Sequence, residues 1–205
     1  MSCQCEVTPL HVTNAPALRD AIVRGDFDAL ACPACGARVQ QARVLAYTDF
    51  ARKQWFAVFP EQALATWRDA AAYVETSFRT SVEEHERPEI HACVPALRPG
   101  IRAVFGMSSL REKLRIADAG LDDRILEVLK LDVLDWYDLA EGDVWFSHRE
   151  DDVLVFAWRA SPDAAWALYP VPFDAYLRRL CDLDATRARA PRLHESAAID
   201  FRIER

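Results

Sequence analysis

The chain has 205 residues, half of them apolar, enough to bury a sizeable core as one large domain or a small module joined to a medium one. Its net charge of −7 argues against a general nucleic-acid binder, whose footprint is basic. No stretch is long and apolar enough to read as a membrane span, and MSCQCEVTPLHV lacks the basic-then-apolar pattern of a signal peptide.

The charge is uneven. Residues 61–185 hold 14 basic against 24 acidic side chains, while 1–60 hold 6 against 5. An acidic body attracts a basic partner, and a solvated surface explains the same numbers equally well. Arginine outnumbers lysine 22 to 3. The expected compartment is the cytosol, where thiols stay reduced.

Six cysteines stand at Cys3, Cys5, Cys32, Cys35, Cys93 and Cys181. The first four form two close pairs, C-x-C and C-P-x-C-G. Two thiolates with two residues between them both reach one zinc ion, at about 2.3 Å. Pro33 fixes the turn, and Gly36 lets backbone amides fold toward the sulfurs. A second pair completes a tetrahedral site, and only Cys3 and Cys5 have suitable spacing; His11 is the alternative donor. Such a closed four-cysteine site leaves no open coordination position, so the zinc is read as structural. A redox C-x-x-C is disfavoured because a β-like segment follows it where a helix is the rule. Disulfides or unliganded thiols are the third reading.

In chain order, EVTPLHV reads as a strand. A short helix follows, with Asn14 as cap, Pro16 in its first turn, Leu18 and Ile22 on one face, and Arg24-Gly25 at its end. ARVQQARVLAY and KQWFAVFP read as two strands joined by TDFAR. EQALATWRDAAAYVETSFRTSVEEHER reads as one long helix with a stripe of Leu64, Trp67, Ala71, Val74 and Phe78, closed by Pro88. PEIHACVPALRPG is a proline-punctuated connector and IRAVFG a short strand.

Ser109 and Glu112 match a capping box at the start of a helix that runs to Gly120. Asp122 caps the next helix, with Leu121 and Leu126 as its hydrophobic staple. Capping and the helix dipole account for Asp122 and Asp123 without any chemistry. DVWFSHREDDVLVFAW is a hairpin turning at REDD, with its aromatics expected on the surface and His148 facing solvent. A helix over PFDAYLRRLCDL places Phe173, Tyr176, Leu177, Leu180 and Cys181 on one face, which makes Cys181 a small core residue. ATRARAPRLHES reads as an exposed connector, and AIDFRIER as a final edge strand.

The fold class is therefore α+β: an N-terminal zinc-ribbon-like β module with an inserted short helix (1–60), then a body (61–205) made of a long helix and a mixed helical and β-hairpin half. The segments ACPACG, LRDAIVRGDFDAL, VLAYTDFARKQWFAVFP and FGMSSLREKLRIADAGLDDRILEVLKL resemble the CpXC family of bacterial proteins, over roughly residues 1–135. The resemblance implies a zinc-binding domain with Cys32 and Cys35 as ligands, and it transfers no catalytic role.

Three functions stand open. The first is a non-catalytic, zinc-stabilised protein that binds another protein, a basic one, as a cytosolic partner or immunity-type protein does. The second is an enzyme or regulator using His91, Cys93 and the Asp122/Asp123 carboxylates. The third is a nucleic-acid-associated factor using Arg38, Arg43, Arg52 and Lys53. A Cys93–His91 nucleophile is disfavoured, because neighbours in sequence rarely form triad geometry.

Overall fold

The structure, a computed structural model, describes residues 16–26, 44–84, 86, 88–140, 142–195 and 197–204. The chain is α+β and divides into two compact units, residues 1–111 and 112–205.

In the N-terminal unit, helix α1 spans Pro16–Arg24 and ends at Gly25, whose φ of +87° suits the left-handed stop. Ile22 is buried as its apolar spacing requires. Strands β1 (Leu45–Asp49) and β2 (Gln54–Phe59) pair antiparallel, with Tyr47 opposite Phe56. The turn between them is closed locally: the Asp49 carboxylate accepts from the Arg52 amide at 2.9 Å and from its guanidinium at 3.0 Å. Strand β3 (Ile101–Phe105) lies parallel to β2, with Phe59 opposite Phe105. Both β2 and β3 are buried along their whole length, as continuous apolar runs require.

The long expected helix is three pieces. Glu61–Thr66 is 3₁₀, helix α2 is Trp67–Phe78, and Arg79–Glu83 widens into a π turn. Ala70, Ala71, Val74, Phe78 and Val82 face inward, and Phe78 meets Trp55 edge-on at 5.5 Å. Leu64 and Trp67 are only half-buried, because the 3₁₀ start shifts the stripe. Pro88 opens a new helix where it was expected to close one: α3 (Pro88–His91), then α4 (Val94–Leu97) and a 3₁₀ turn (Arg98–Gly100) fill the expected connector. Gly100 is obligatory: a Cβ there would sit 2.4 Å from the Lys53 carbonyl oxygen.

Helix α5 (Met107–Asp118) starts two residues before Ser109, so the expected capping box does not form. The Ser109 hydroxyl donates to the Phe105 carbonyl at 2.7 Å, and Glu112 is directed into the core. The helix stops in a Schellman turn at Gly120 (φ +69°), with Leu121 N–H bonded to the Ile116 carbonyl at 3.1 Å.

The C-terminal unit is built around α6 (Asp123–Trp136), buried on every side from Ile125 to Leu134. Asp122 caps it as expected, accepting from Arg124 and Ile125 amides at 2.8 and 3.3 Å. Strands β4 (Asp143–Glu150), β5 (Val153–Arg159) and β6 (Ala167–Pro172) form an antiparallel meander, with a bulge between Phe146 and His148. The hairpin turns on Asp151 (φ +48°) and Asp152. Contrary to the expectation of exposed hairpin aromatics, Phe146 and Phe156 are core residues and Trp145 and Trp158 are half-buried.

Strand β6 is hidden in the sequence by Pro170 and Pro172. Both have the same parity, and the Tyr137 hydroxyl donates to the Pro170 carbonyl at 2.8 Å. The prolines therefore face the open edge, where a missing N–H breaks no ladder bond. Helices α7 (Phe173–Cys181), α8 (Leu183–Arg189) and α9 (Pro191–Glu195) follow, so the expected basic connector is helical. Asp182 caps α8 by accepting from the Ala185 amide at 3.0 Å. The expected final strand is instead a 3₁₀ turn, Phe201–Glu204. Asp200 causes this: its carboxylate accepts from the Arg202 amide and guanidinium, and its carbonyl from the Ile203 amide. Ile199, Phe201 and Ile203 are nevertheless buried, as their apolar character demands.

Candidate functional site

Cys3, Cys5, Cys32 and Cys35 lie outside the described residues, as do His11, Arg38 and Arg43. Among the described residues no group of three or more His, Cys, Asp or Glu side chains could hold a metal ion. Cys93 is half-buried just before α4, and its thiol donates to the Glu89 carbonyl at 3.3 Å. Asp123 occupies the first position of α6, the dipole-favoured site for a carboxylate. Arg52 is ion-paired with Asp49 at 3.0 Å, and Lys53 is exposed in the turn with φ +57°.

Cys181 is exposed, contrary to the core position expected of it. The inward face of α7 is Ala175, Tyr176 and Arg179, because Asp132 draws the Arg179 guanidinium inward with two bonds of 2.8 and 2.7 Å. That rotation turns Leu177, Leu180 and Cys181 out to solvent.

Periodicity could not reveal the most unusual feature, a buried four-charge cluster in the C-terminal unit. Glu112 and Lys113 on α5 meet Glu127 and Lys130 on α6, and none is more than 4% exposed. Lys130 Nζ donates to Glu112 Oε2 and Glu127 Oε1, both at 2.7 Å. Lys113 Nζ donates to Glu127 Oε1. The remaining carboxylate oxygens accept backbone amides: Glu112 Oε1 from Phe146 on β4, and Glu127 Oε2 from Phe201 at 2.7 Å. Lys130 also sits 5.6 Å from the Trp145 ring centroid and 5.3 Å from that of Phe201. Every carboxylate oxygen thus faces a donor. The cluster joins two helices, a strand and the C-terminal turn.

Burial alone would lower the Lys130 ammonium, but Glu112 and Glu127 outweigh it and raise its pKa, so the lysine stays charged. Burial pushes the Glu112 carboxyl up, with Lys130 opposing. Beside them, Asp200 is held below its usual range: burial would raise it, and the Arg202 guanidinium prevails. Two of only three lysines in the chain stand here. An ammonium is a compact point charge with three donors and fits between carboxylates where a planar guanidinium does not. Chemically the cluster is closed: the oxygens are occupied and Lys130 is held as a cation, so it specifies the fold and offers no nucleophile or base.

A cleft of about 540 Å³ opens nearby, lined by Arg115, Asp118, Ala119, Phe146, Ser147, His148, Arg149 and Asp151. The Ser147 hydroxyl and His148 Nδ1 are 3.0 Å apart. They are adjacent in sequence, and His148 is exposed as expected, which is a surface pair and not a catalytic dyad.

The surface offers a second feature. Nine large apolar side chains are exposed among the described residues, and seven belong to the C-terminal unit: Trp136, Tyr137, Trp166, Leu168, Leu177, Leu180 and Leu183. Trp136, at the end of α6, lines a pocket of about 240 Å³ with Ala175, Arg178, Arg179, Asp182 and Ala185. The same unit carries the whole net charge. Residues 112–205 hold 13 basic and 20 acidic side chains, whereas 1–111 hold 12 of each.

The family model described as CpXC protein matches residues 4–130. The chain belongs to the CpXC family. The CpXC region thus includes both cysteine pairs except Cys3, together with all four residues of the buried cluster, and ends inside α6. All seven exposed apolar residues of the C-terminal unit lie beyond it. No curated protein and no solved structure matches the chain.

Proposed function

We propose that this CpXC protein is a non-catalytic, zinc-stabilised binding protein of the cytosol whose partner is another protein with a basic surface. The carrying observation is the concentration of exposed aromatic and aliphatic side chains in a unit that also holds the net charge of −7. Contiguous exposed apolar area marks binding surfaces, and excess acidity speeds encounter with a basic partner. Zinc held by Cys3, Cys5, Cys32 and Cys35 in a ribbon-like module would supply folding energy to the front of the chain; the C-x-C and C-x-x-C spacings support that ligand set.

The test begins with a photo-crosslinking amino acid at Leu177 and, as a control, at exposed Glu75. The captured protein is identified, purified and titrated against the wild-type chain by calorimetry at several salt concentrations. Saturable binding that weakens as salt rises supports the proposal. A purified candidate that fails to bind, or that the chain covalently alters with turnover, contradicts it.

A further inference from the structure

Independently of what the chain binds, we infer that residues 131–205 complete the core of the CpXC region, and that the C-terminal turn is the latch that closes it. The family match ends at residue 130, inside α6. A domain that ended there would satisfy its own buried polar groups. Residues 112–130 depend on the rest of the chain for theirs. Glu112 Oε1 accepts from the Phe146 amide on β4. Glu127 Oε2 accepts from the Phe201 amide at 2.7 Å, 74 residues away along the chain. The amide of Asp122, the cap of α6, donates to the Tyr176 hydroxyl on α7 at 2.9 Å. Arg124 Nε donates to the Leu193 carbonyl on α9 at 3.2 Å. The rings of Trp145 and Phe201 beside Lys130 also come from beyond residue 130.

An appended domain meets its neighbour through polar surface, as in a transient interface. Here the contacts reach Glu112, Glu127 and Lys130, none more than 4% exposed. Without the Phe146 and Phe201 amides, two buried carboxylate oxygens would lose their donors, and that cost is larger for a charged group than for a neutral one.

The C-terminal turn combines a fixed shape, an apolar anchor and one directed bond. Asp200 fixes the shape, its carboxylate accepting from the Arg202 amide at 3.0 Å and the guanidinium at 2.7 Å. Ile199, Phe201 and Ile203 are buried and hold the turn down. Its far end is tied to α9: Arg192 donates to the Ile203 carbonyl, and Glu204 accepts from the Leu193 amide. Phe201, the first residue of the turn, then presents its amide to Glu127 and its ring to Lys130 at 5.3 Å.

Two variants isolate the directed bond. Phe201→Ala removes the ring and keeps the amide. Phe201→Pro removes the amide as well, and proline is tolerated at the first position of a helical turn. The measurement is amide hydrogen exchange of the full chain, read by mass spectrometry at increasing low concentrations of urea. In the wild type, residues 123–136, 143–159 and 197–204 should gain exchange together, with the same urea dependence, as one cooperative opening. In Phe201→Pro, α6 and the turn should both exchange at least about tenfold faster than in Phe201→Ala.

Faster exchange confined to residues 197–204, with α6 unchanged, makes the turn a dispensable tail and overturns the latch. Wild-type protection of 112–130 that persists after 143–204 have opened makes the extension a separate domain and overturns the shared core. If Phe201→Pro fails to fold while Phe201→Ala folds, the latch stands. If neither variant folds, the wild-type urea dependence decides: one shared opening supports the inference and two separate openings overturn it.

Discussion

Replacing Lys130 with methionine removes the one cation that bonds both buried glutamates while keeping the length of the side chain. Glu112 loses a partner at 2.7 Å on Oε2, and Glu127 keeps only Lys113 and the Phe201 amide. Leaving a buried charge without its partner costs about 3–5 kcal/mol. Against a total stability of about 5–15 kcal/mol for a domain, that is a large fraction. The loss should depend on pH. Burial raises the folded-state pKa of Glu112, and without Lys130 nothing as close opposes it, so the value stays above the unfolded one of about 4.3. A carboxyl with a raised folded pKa contributes stability that is full below the unfolded value and falls as pH rises through the folded one. The variant should therefore be most damaged at neutral pH and partly recovered near pH 5. Adding Glu112→Gln should restore part of the stability at pH 7, because one uncompensated charge is gone. Urea unfolding followed by tryptophan fluorescence at both pH values measures this. A loss below about 1 kcal/mol, equal at both pH values, would refute the claim that the cluster is a set of mutually dependent charges.

Gly142→Ala should destabilise the C-terminal unit by about 1–3 kcal/mol, since the new Cβ would lie 2.3 Å from the Arg159 carbonyl oxygen; a urea midpoint equal to wild type contradicts this. Asp122→Ala should cost about 1 kcal/mol through the lost cap, with Asp123→Ala costing less, both read from the same denaturation curves. His194 is held below its usual pKa by burial and by Arg124 and Arg187. The unfolded chain then binds its proton first, so the stability this histidine contributes is lost as pH falls below about 6.5. His194→Asn should flatten the stability profile between about pH 5 and 6.5, and an unchanged slope would show that another group is responsible.

Much of the fold is legible in the residues because local chemistry and global packing agree. Gly25 and Gly120 mark the ends of their helices, Asp122 caps, and the apolar runs of β2, β3 and β5 are strands. Misreadings occur where a side chain answers to a distant partner. Glu112 matches a capping box by spacing, yet Lys130 and the Phe146 amide claim its oxygens. Leucines and Cys181 on α7 share an apolar face, yet Asp132 pulls Arg179 inward and turns that face out. AIDFRIER alternates like a strand, yet Asp200 bonds its own neighbours and curls the chain. Strand β6 was hidden because proline argues against a strand except at an edge. Two signals were available: Asp182 has the chemistry of an N-cap, and two of three lysines in an arginine-rich chain fall within helical segments of apolar character.

Zinc in the front of the chain is tested most directly by elemental analysis of freshly purified, reduced protein, on wild type, Cys3→Ser and Cys32→Ser. One zinc per chain, lost in both variants together with cooperative unfolding of the N-terminal unit, is the predicted result. Zinc lost only in Cys32→Ser would assign the fourth ligand elsewhere, with His11 as the first candidate. Wild-type protein without metal would contradict the account and return Cys32 and Cys35 to redox chemistry.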